Sequence, residues 1–159
     1  MHWNKLKTPL GTLILVWAGK GLMAAGFEEA LNFSLHELAS KEACPQIYED
    51  AFTAYFGGDT RALEQIPVQM EGSDFQKTVW RELQNIPAGE TRSYQEIAVR
   101  IGNPNAVRAV GLANSRNPIS IAIPCHRVIG KDGTLTGYAG GLERKSWLLK
   151  HEGAVNPES

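Results

Sequence analysis

The 159-residue chain has only two cysteines, Cys44 and Cys125. So few cysteines exclude a disulfide framework, and no Cys/His pairs stand at zinc-finger spacing. His2 and His36 are isolated and read as surface residues. Long apolar runs are missing as well. Leu10 to Phe27 is interrupted by Gly11, Gly19, Lys20 and Gly21, so neither a membrane span nor a secretory leader is expected. Repeats and low-complexity tracts are absent. Excess charge of one sign is absent too: the net charge is −1 and the pI about 6.4, which taken alone speaks against a nucleic-acid binder. What remains is 43% hydrophobic and 21% charged. That suits a soluble globular chain of one or two small domains, long enough to bury a core without crosslinks.

The charge is unevenly placed. Residues 1–70 hold five basic and eight acidic residues, and residues 71–159 hold eleven and nine. Between Arg92 and Lys131 the bases are Arg92, Arg100, Arg108, Arg116, Arg127 and Lys131, against Glu96 alone. A local basic patch of this kind is the electrostatic footprint of a phosphate backbone. An ordinary solvated arginine face is the competing reading.

Inside that patch lies Ile123-Pro124-Cys125-His126-Arg127-Val128. Two basic neighbours can favour the thiolate, which is the nucleophilic form of cysteine, and sulfur is suited to attack on saturated carbon. Pro124 removes a backbone donor and helps shape a turn. A buried cysteine acting as a small hydrophobe is the plain alternative. The polar Cys-His-Arg run after apolar 119–123 favours chemistry. Cys44, beside Pro45, reads as a helix-end residue with no catalytic part.

The chain reads as α+β. Leu13–Ala18 and Leu22–Phe27 form a hairpin across a Gly19-Lys20-Gly21 turn. Leu31, Leu35 and Leu38 place a helix over 30–43, and a second runs from Tyr48 to Phe56, stopped by Gly57-Gly58. Ile66 to Gly72 reads as a linker. Two capping boxes follow, Ser73…Gln76 and Ser93…Glu96, each opening a helix. Asn103-Pro104 supplies an N-cap and first-turn proline for the next helix, which passes through Ala106, Arg108, Gly111 and Ala113. Two short helices joined at Gly102 make a helix-turn-helix signature. The small residues of the second would let its backbone approach a surface closely. The expected domains are 1–70, small and α/β with antiparallel strands; 71–153, mostly helical and winged-helix-like; and a frayed tail, 154–159.

Pro124-Cys125-His126-Arg127-Val128 resembles the active-site signature of the O6-alkylguanine-DNA alkyltransferases. Asn117-Pro118, Gly137-Tyr138-Ala139-Gly140-Gly141 and Trp147 to Gly153 match that pattern in order, so the resemblance covers Phe75 to Gly153. It implies direct repair of O6-alkylguanine, and of O4-alkylthymine, by irreversible transfer of the alkyl group to Cys125. Each molecule acts once, without cofactor or metal. The zinc site of the family's human members has no counterpart in these residues. The implied partner is double-stranded DNA, bound through the minor groove by a cytoplasmic monomer, with the lesion flipped into a pocket.

The resemblance also implies roles. His126 acts as base through a water, and Glu152 orients it. Asn117 braces the cysteine turn. Tyr94 rotates the lesion's phosphate and donates to guanine N3. The Cys125 and Val128 carbonyls accept from the exocyclic amine, and Tyr138 walls the pocket. Arg108 fills the gap left by the flipped base. Gln76, Gln95, Asn103 and Lys131 touch the DNA backbone. Ala139 stands where human relatives have serine, so a backbone N–H must serve O6 there. Asn114 replaces a larger apolar residue of some relatives.

Two rival classes remain. A lesion-binding protein without transfer would lack the cysteine, which is present. A cysteine hydrolase or redox enzyme would need an oxyanion hole or a resolving thiol, and would leave the helix-turn-helix unexplained.

Overall fold

A computed structural model describes residues 1–30 and 39–154. The chain divides into two compact units: Met1–Glu71 with Pro118–Ala122, and Gly72–Asn117 with Ile123–Ser159.

The first unit is built on a four-stranded sheet of order β3-β2-β1-β4, comprising β1 (His2–Thr8), β2 (Gly11–Ala18), β3 (Gly21–Phe27) and β4 (Ser40–Lys41). The expected hairpin is there, with Leu13 opposite Phe27 and Ala18 opposite Gly21. β1 joins antiparallel to β2, and β4 adds a short parallel pairing on β1, so the sheet is mixed. Leu13 to Trp17 are all buried, as a central strand covered on both faces requires. The helix expected over 30–43 falls mainly on 31–38, outside the described residues. At its far end Ser40–Lys41 is strand instead. α1 (Gln46–Phe56) buries Tyr48, Phe52 and Tyr55, one face at helical spacing.

The expected linker is only partly one. Val68 pairs with Leu22, whose N–H donates to Pro67 O at 2.9 Å. Gly21 makes this approach feasible, because a Cβ there would stand 2.5 Å from Pro67 O and its φ is +140°. On the same β3 strand, Ala25 bridges Ile119 from the 118–122 segment, flanked by Ala25 N–H to Pro118 O and Ser120 N–H to Ala25 O, both 2.9 Å.

The second unit holds α2 (Asp74–Leu83), α3 (Tyr94–Arg100), α4 (Val107–Ser115), α5 (Leu142–His151) and a two-stranded parallel pair, β5 (Arg92–Ser93) with β6 (Val128–Ile129). Both capping boxes form as read: Ser73 with Gln76, and Ser93 with Glu96. α2 buries Val79, Trp80 and Leu83, and the Trp80 indole N–H donates to Ala113 O of α4 at 2.9 Å. Gly102, at φ +81°, turns the chain after α3. α4 starts later than expected. Its N-cap is Ala106, and Asn103-Pro104 form a turn closed by Ala106 N–H to Asn103 O at 3.0 Å. Proline suits the second position of such a turn as well as a first helical turn.

Candidate active site

The site grows from a tight turn in the second unit. Pro124, at φ −82° and ψ 65°, occupies inverse γ-turn geometry. The Cys125 N–H accordingly donates two residues back, to Ile123 O, at 2.8 Å. Asn117 Nδ2 donates to the same carbonyl at 2.8 Å, so Asn117 braces the turn from α4's far side. Cys125, His126 and Arg127 then form one 3-10 turn, all three buried. Asn114, buried at the end of α4, donates to the Cys125 carbonyl over 3.4 Å.

A carboxylate beneath the turn organises it. Glu152 follows α5, and its Oε2 lies 2.8 Å from His126 Nε2. It also takes a two-pronged grip from Arg127, Nε to Oε1 at 2.8 Å and NH2 to Oε2 at 2.9 Å. Arg127 NH1 donates to Ile86 O at 2.6 Å. Burial opposes ionisation of Glu152, but the bonds from His126 and Arg127 and their charge outweigh it, holding the carboxyl well below its usual range. Burial pushes the His126 pKa down, against the pull of Glu152. An imidazole kept neutral by that burial would carry its proton on Nε2, facing an acceptor-only carboxylate. Nδ1 is buried and has no hydrogen bond among the described residues, so in that tautomer it is the nitrogen able to take a proton.

Burial also raises the Cys125 pKa, while a hydrogen bond from Asn117 and the charge of Lys145 pull it back. Lys145 is the residue the sequence reading missed. It is fully buried on α5, and its Nζ donates to Val128 O at 2.6 Å and Thr136 O at 2.7 Å. Burial lowers it to about 8, with Cys125 pulling the other way. Among the nearby cations it is the Lys145 charge that acts on the thiol, while Arg127 is engaged with Glu152. Cys44 lies in the first unit with its thiol pushed up to about 11 by burial and then by Glu49. It is poorly suited to nucleophilic chemistry.

The remaining candidates fall into two groups. Tyr138 places its ring edge-on to His126, centroids 6.4 Å apart. Val128 is buried with its carbonyl on Lys145, and Ala139 is exposed. The Tyr94 hydroxyl stands 2.8 Å from Thr136 Oγ1, and neither residue is fully covered. Gln76 and Gln95 are engaged locally: Gln76 closes its capping box, and Gln95 donates to Pro104 O at 3.1 Å. Asn103 and Lys131 are exposed on turns, and Arg108 is exposed on α4.

The basic patch shrinks accordingly. Arg127 is buried under Glu152, Arg92 is 17% exposed and paired with Glu90 at 3.0 Å, and Arg100 is 3.9 Å from Glu82. Arg108, Arg116 and Lys131 stay exposed. The small residues of α4 do not all face outward either. Ala113 is buried, and a Cβ on Gly111 would stand 3.8 Å from the Tyr94 ring, whereas Ala109 and Leu112 are exposed beside Arg108.

Among the described residues no group of three or more His, Cys, Asp and Glu side chains could hold a metal, and no helix is long and apolar enough to cross a membrane.

Residues 74–154 match the DNA binding domain of 6-O-methylguanine DNA methyltransferase, and residues 1–70 match its ribonuclease-like domain. A methylated-DNA–protein-cysteine methyltransferase of Methanosarcina barkeri is 46% identical over 96% of this chain and 97% of its own. One of Shigella flexneri is 40% identical over 94% of both. A crystal structure of Mycobacterium tuberculosis OGT in complex with DNA superposes with a TM-score of 0.85 at 42% identity, covering 96% of this chain and 93% of that one.

Proposed function

The chain belongs to the 6-O-methylguanine DNA methyltransferase family, and from that premise we propose that it repairs O6-alkylguanine in duplex DNA by taking the alkyl group onto its own Cys125. The observation that carries the assignment to Cys125 is the buried turn in which His126 sits 2.8 Å from Glu152 through Nε2, with Nδ1 unengaged among the described residues.

The thiol proton passes to His126 Nδ1, directly or through a water, and Glu152 stabilises the imidazolium that forms. The thiolate attacks the alkyl carbon in line with the C–O6 bond. That bond breaks with its electron pair going to guanine, whose anion takes a proton from water while the imidazolium returns one to water, and a thioether remains on Cys125. A thioether is a poor leaving group, so each molecule acts once. Lys145 favours the thiolate by its charge and holds Val128, whose carbonyl would meet the exocyclic amine of the base. The Tyr94 hydroxyl donates to the purine ring as negative charge develops there, where a fixed donor is most effective. The Tyr138 ring closes the pocket.

The exposed part of α4, Arg108 with Ala109 and Leu112, would enter the minor groove, with Arg108 filling the space of the flipped base. Arg116 and Lys131, with Asn103, Gln76 and Gln95, would lie along the phosphates. O4-alkylthymine fits the same chemistry, and the working form would be a cytoplasmic monomer. The test is intact-mass spectrometry after mixing with an O6-methylguanine duplex. One methyl group per chain, mapped to Cys125 and absent in Cys125→Ala, is the expected result. Methylation elsewhere, or repeated turnover, would overturn it.

A further inference from the structure

Tyr94 and Thr136 lie 42 residues apart, yet their hydroxyl oxygens are 2.8 Å apart. Thr136 is pinned through its own backbone: its carbonyl accepts from Lys145 Nζ at 2.7 Å, and the same ammonium donates to Val128 O at 2.6 Å. One buried cation thereby fixes Thr136 relative to the pocket residue Val128.

Each hydroxyl brings a single proton. A pair sharing one hydrogen bond commits one proton to the pair and leaves the other for a third group. If Tyr94 donates, its phenolic proton is committed to Thr136. If Thr136 donates, the phenolic proton stays available, and the donation into its oxygen strengthens the bond it then makes.

We propose that Thr136 is a positioning residue for alkyl transfer: its hydroxyl donates to Tyr94 Oη and aims the phenolic proton at the purine of the leaving base. This rests on the reading of Tyr94 as the donor given above. No proton changes hands in the chain Thr136–Tyr94–purine. It stabilises charge on the base while the thiol proton goes to His126.

The test is a double-mutant cycle on the full chain, measuring single-turnover transfer from an O6-methylguanine duplex and from free O6-benzylguanine. Thr136→Val keeps the shape and loses the hydroxyl. It should slow transfer on both substrates about 3- to 10-fold, with the melting midpoint and binding to unmodified DNA unchanged. Thr136→Ser should restore the rate to within about twofold. In a Tyr94→Phe background, Thr136→Val should cost nothing more, because the two residues act as one unit.

Equal losses in both backgrounds, a serine variant as slow as the valine one, or a valine variant at the parent rate would each overturn the proposal. If Tyr94→Phe itself transfers at the parent rate, the reading of Tyr94 falls and the proposal with it. A slow Tyr94→Phe beside a normal Thr136→Val removes Thr136 alone.

Discussion

Replacing Glu152 with glutamine changes one atom and should be severe. The carboxylate accepts three hydrogen bonds, two from Arg127 and one from His126, at 2.8–2.9 Å, with no exposure of its own side chain. An amide offers one acceptor oxygen and turns an N–H₂ toward groups that are themselves donors. At least one donor is then left buried without a partner, and the Arg127 charge loses its counter-charge. Breaking a buried ion pair from one side costs about 3–5 kcal/mol, out of a total stability of about 5–15 kcal/mol. With a urea slope near 2 kcal/mol per molar, the midpoint should fall by about 2 M. The amide can also face Nε2 with its N–H, which moves the imidazole proton to Nδ1 and removes the base; transfer should then slow by about 10²–10⁴. Arg127→Met added to Glu152→Gln should recover much of the midpoint but none of the rate. The parent should be acid-sensitive for the same reason. A carboxyl held below its ordinary value contributes stability that is present above about pH 4.3 and lost as pH falls through the folded value. A midpoint within about 0.3 M of the parent would refute the reasoning, since it would mean that Arg127 keeps its charge solvated without Glu152.

Lys145→Met should shift the Cys125 titration, followed by the pH dependence of iodoacetamide reaction, to higher pH; an unchanged curve would remove Lys145 from thiolate support. Because burial lowers the His126 pKa, transfer should persist as pH drops below about 6.5 before His126 protonation ends it. A profile that breaks at 6.5 would place the imidazole in contact with solvent. Arg108→Ala should slow repair in duplex far more than reaction with free O6-benzylguanine, since only the duplex requires flipping, and equal losses would count against that role. Gly21→Ala should lower the melting midpoint sharply, because its Cβ meets Pro67 O at 2.5 Å; a neutral effect would show that the 67–68 pairing is dispensable.

What could be read in the sequence was what is local in it. The two capping boxes are four-residue signals and formed as read, and the β2–β3 hairpin announced itself by apolar runs around a glycine turn. β1 did not, because its apolar residues Trp3 and Leu6 are three apart and break the two-residue alternation of a strand. The nucleophile was legible from its neighbours. Its partner Glu152 was not: 26 residues separate it from His126, and only the family resemblance linked them. Arg127 was misplaced in the basic patch because a sequence shows charge but not its counter-charge. Lys145 was missed because lysine reads as surface. A signal was nonetheless present, since positions 145, 148, 149 and 152 share one face of α5, and Leu148 and Leu149 mark that face as buried. Charges on an apolar face are the pattern that would have found Lys145.

The bridge from Ala25 to Ile119 carries a consequence for the order in which the protein can be made. β3 is the edge of its sheet, and an uncovered edge is a template for pairing with other chains. Val68 covers one end of β3 and Ile119 a point farther along. Val68 leaves the ribosome soon after the strand does, but Ile119 follows Ala25 by 94 positions. At ordinary synthesis rates that is a wait of about 5–20 s. During it the first sheet holds its strand order with part of its border open, and the cover arrives only with the stretch of chain that also delivers Cys125. The sheet can therefore be sealed before Glu152, which organises the turn around Cys125, has been made, and a nascent chain stalled before Ile119 would be the form most prone to aggregate.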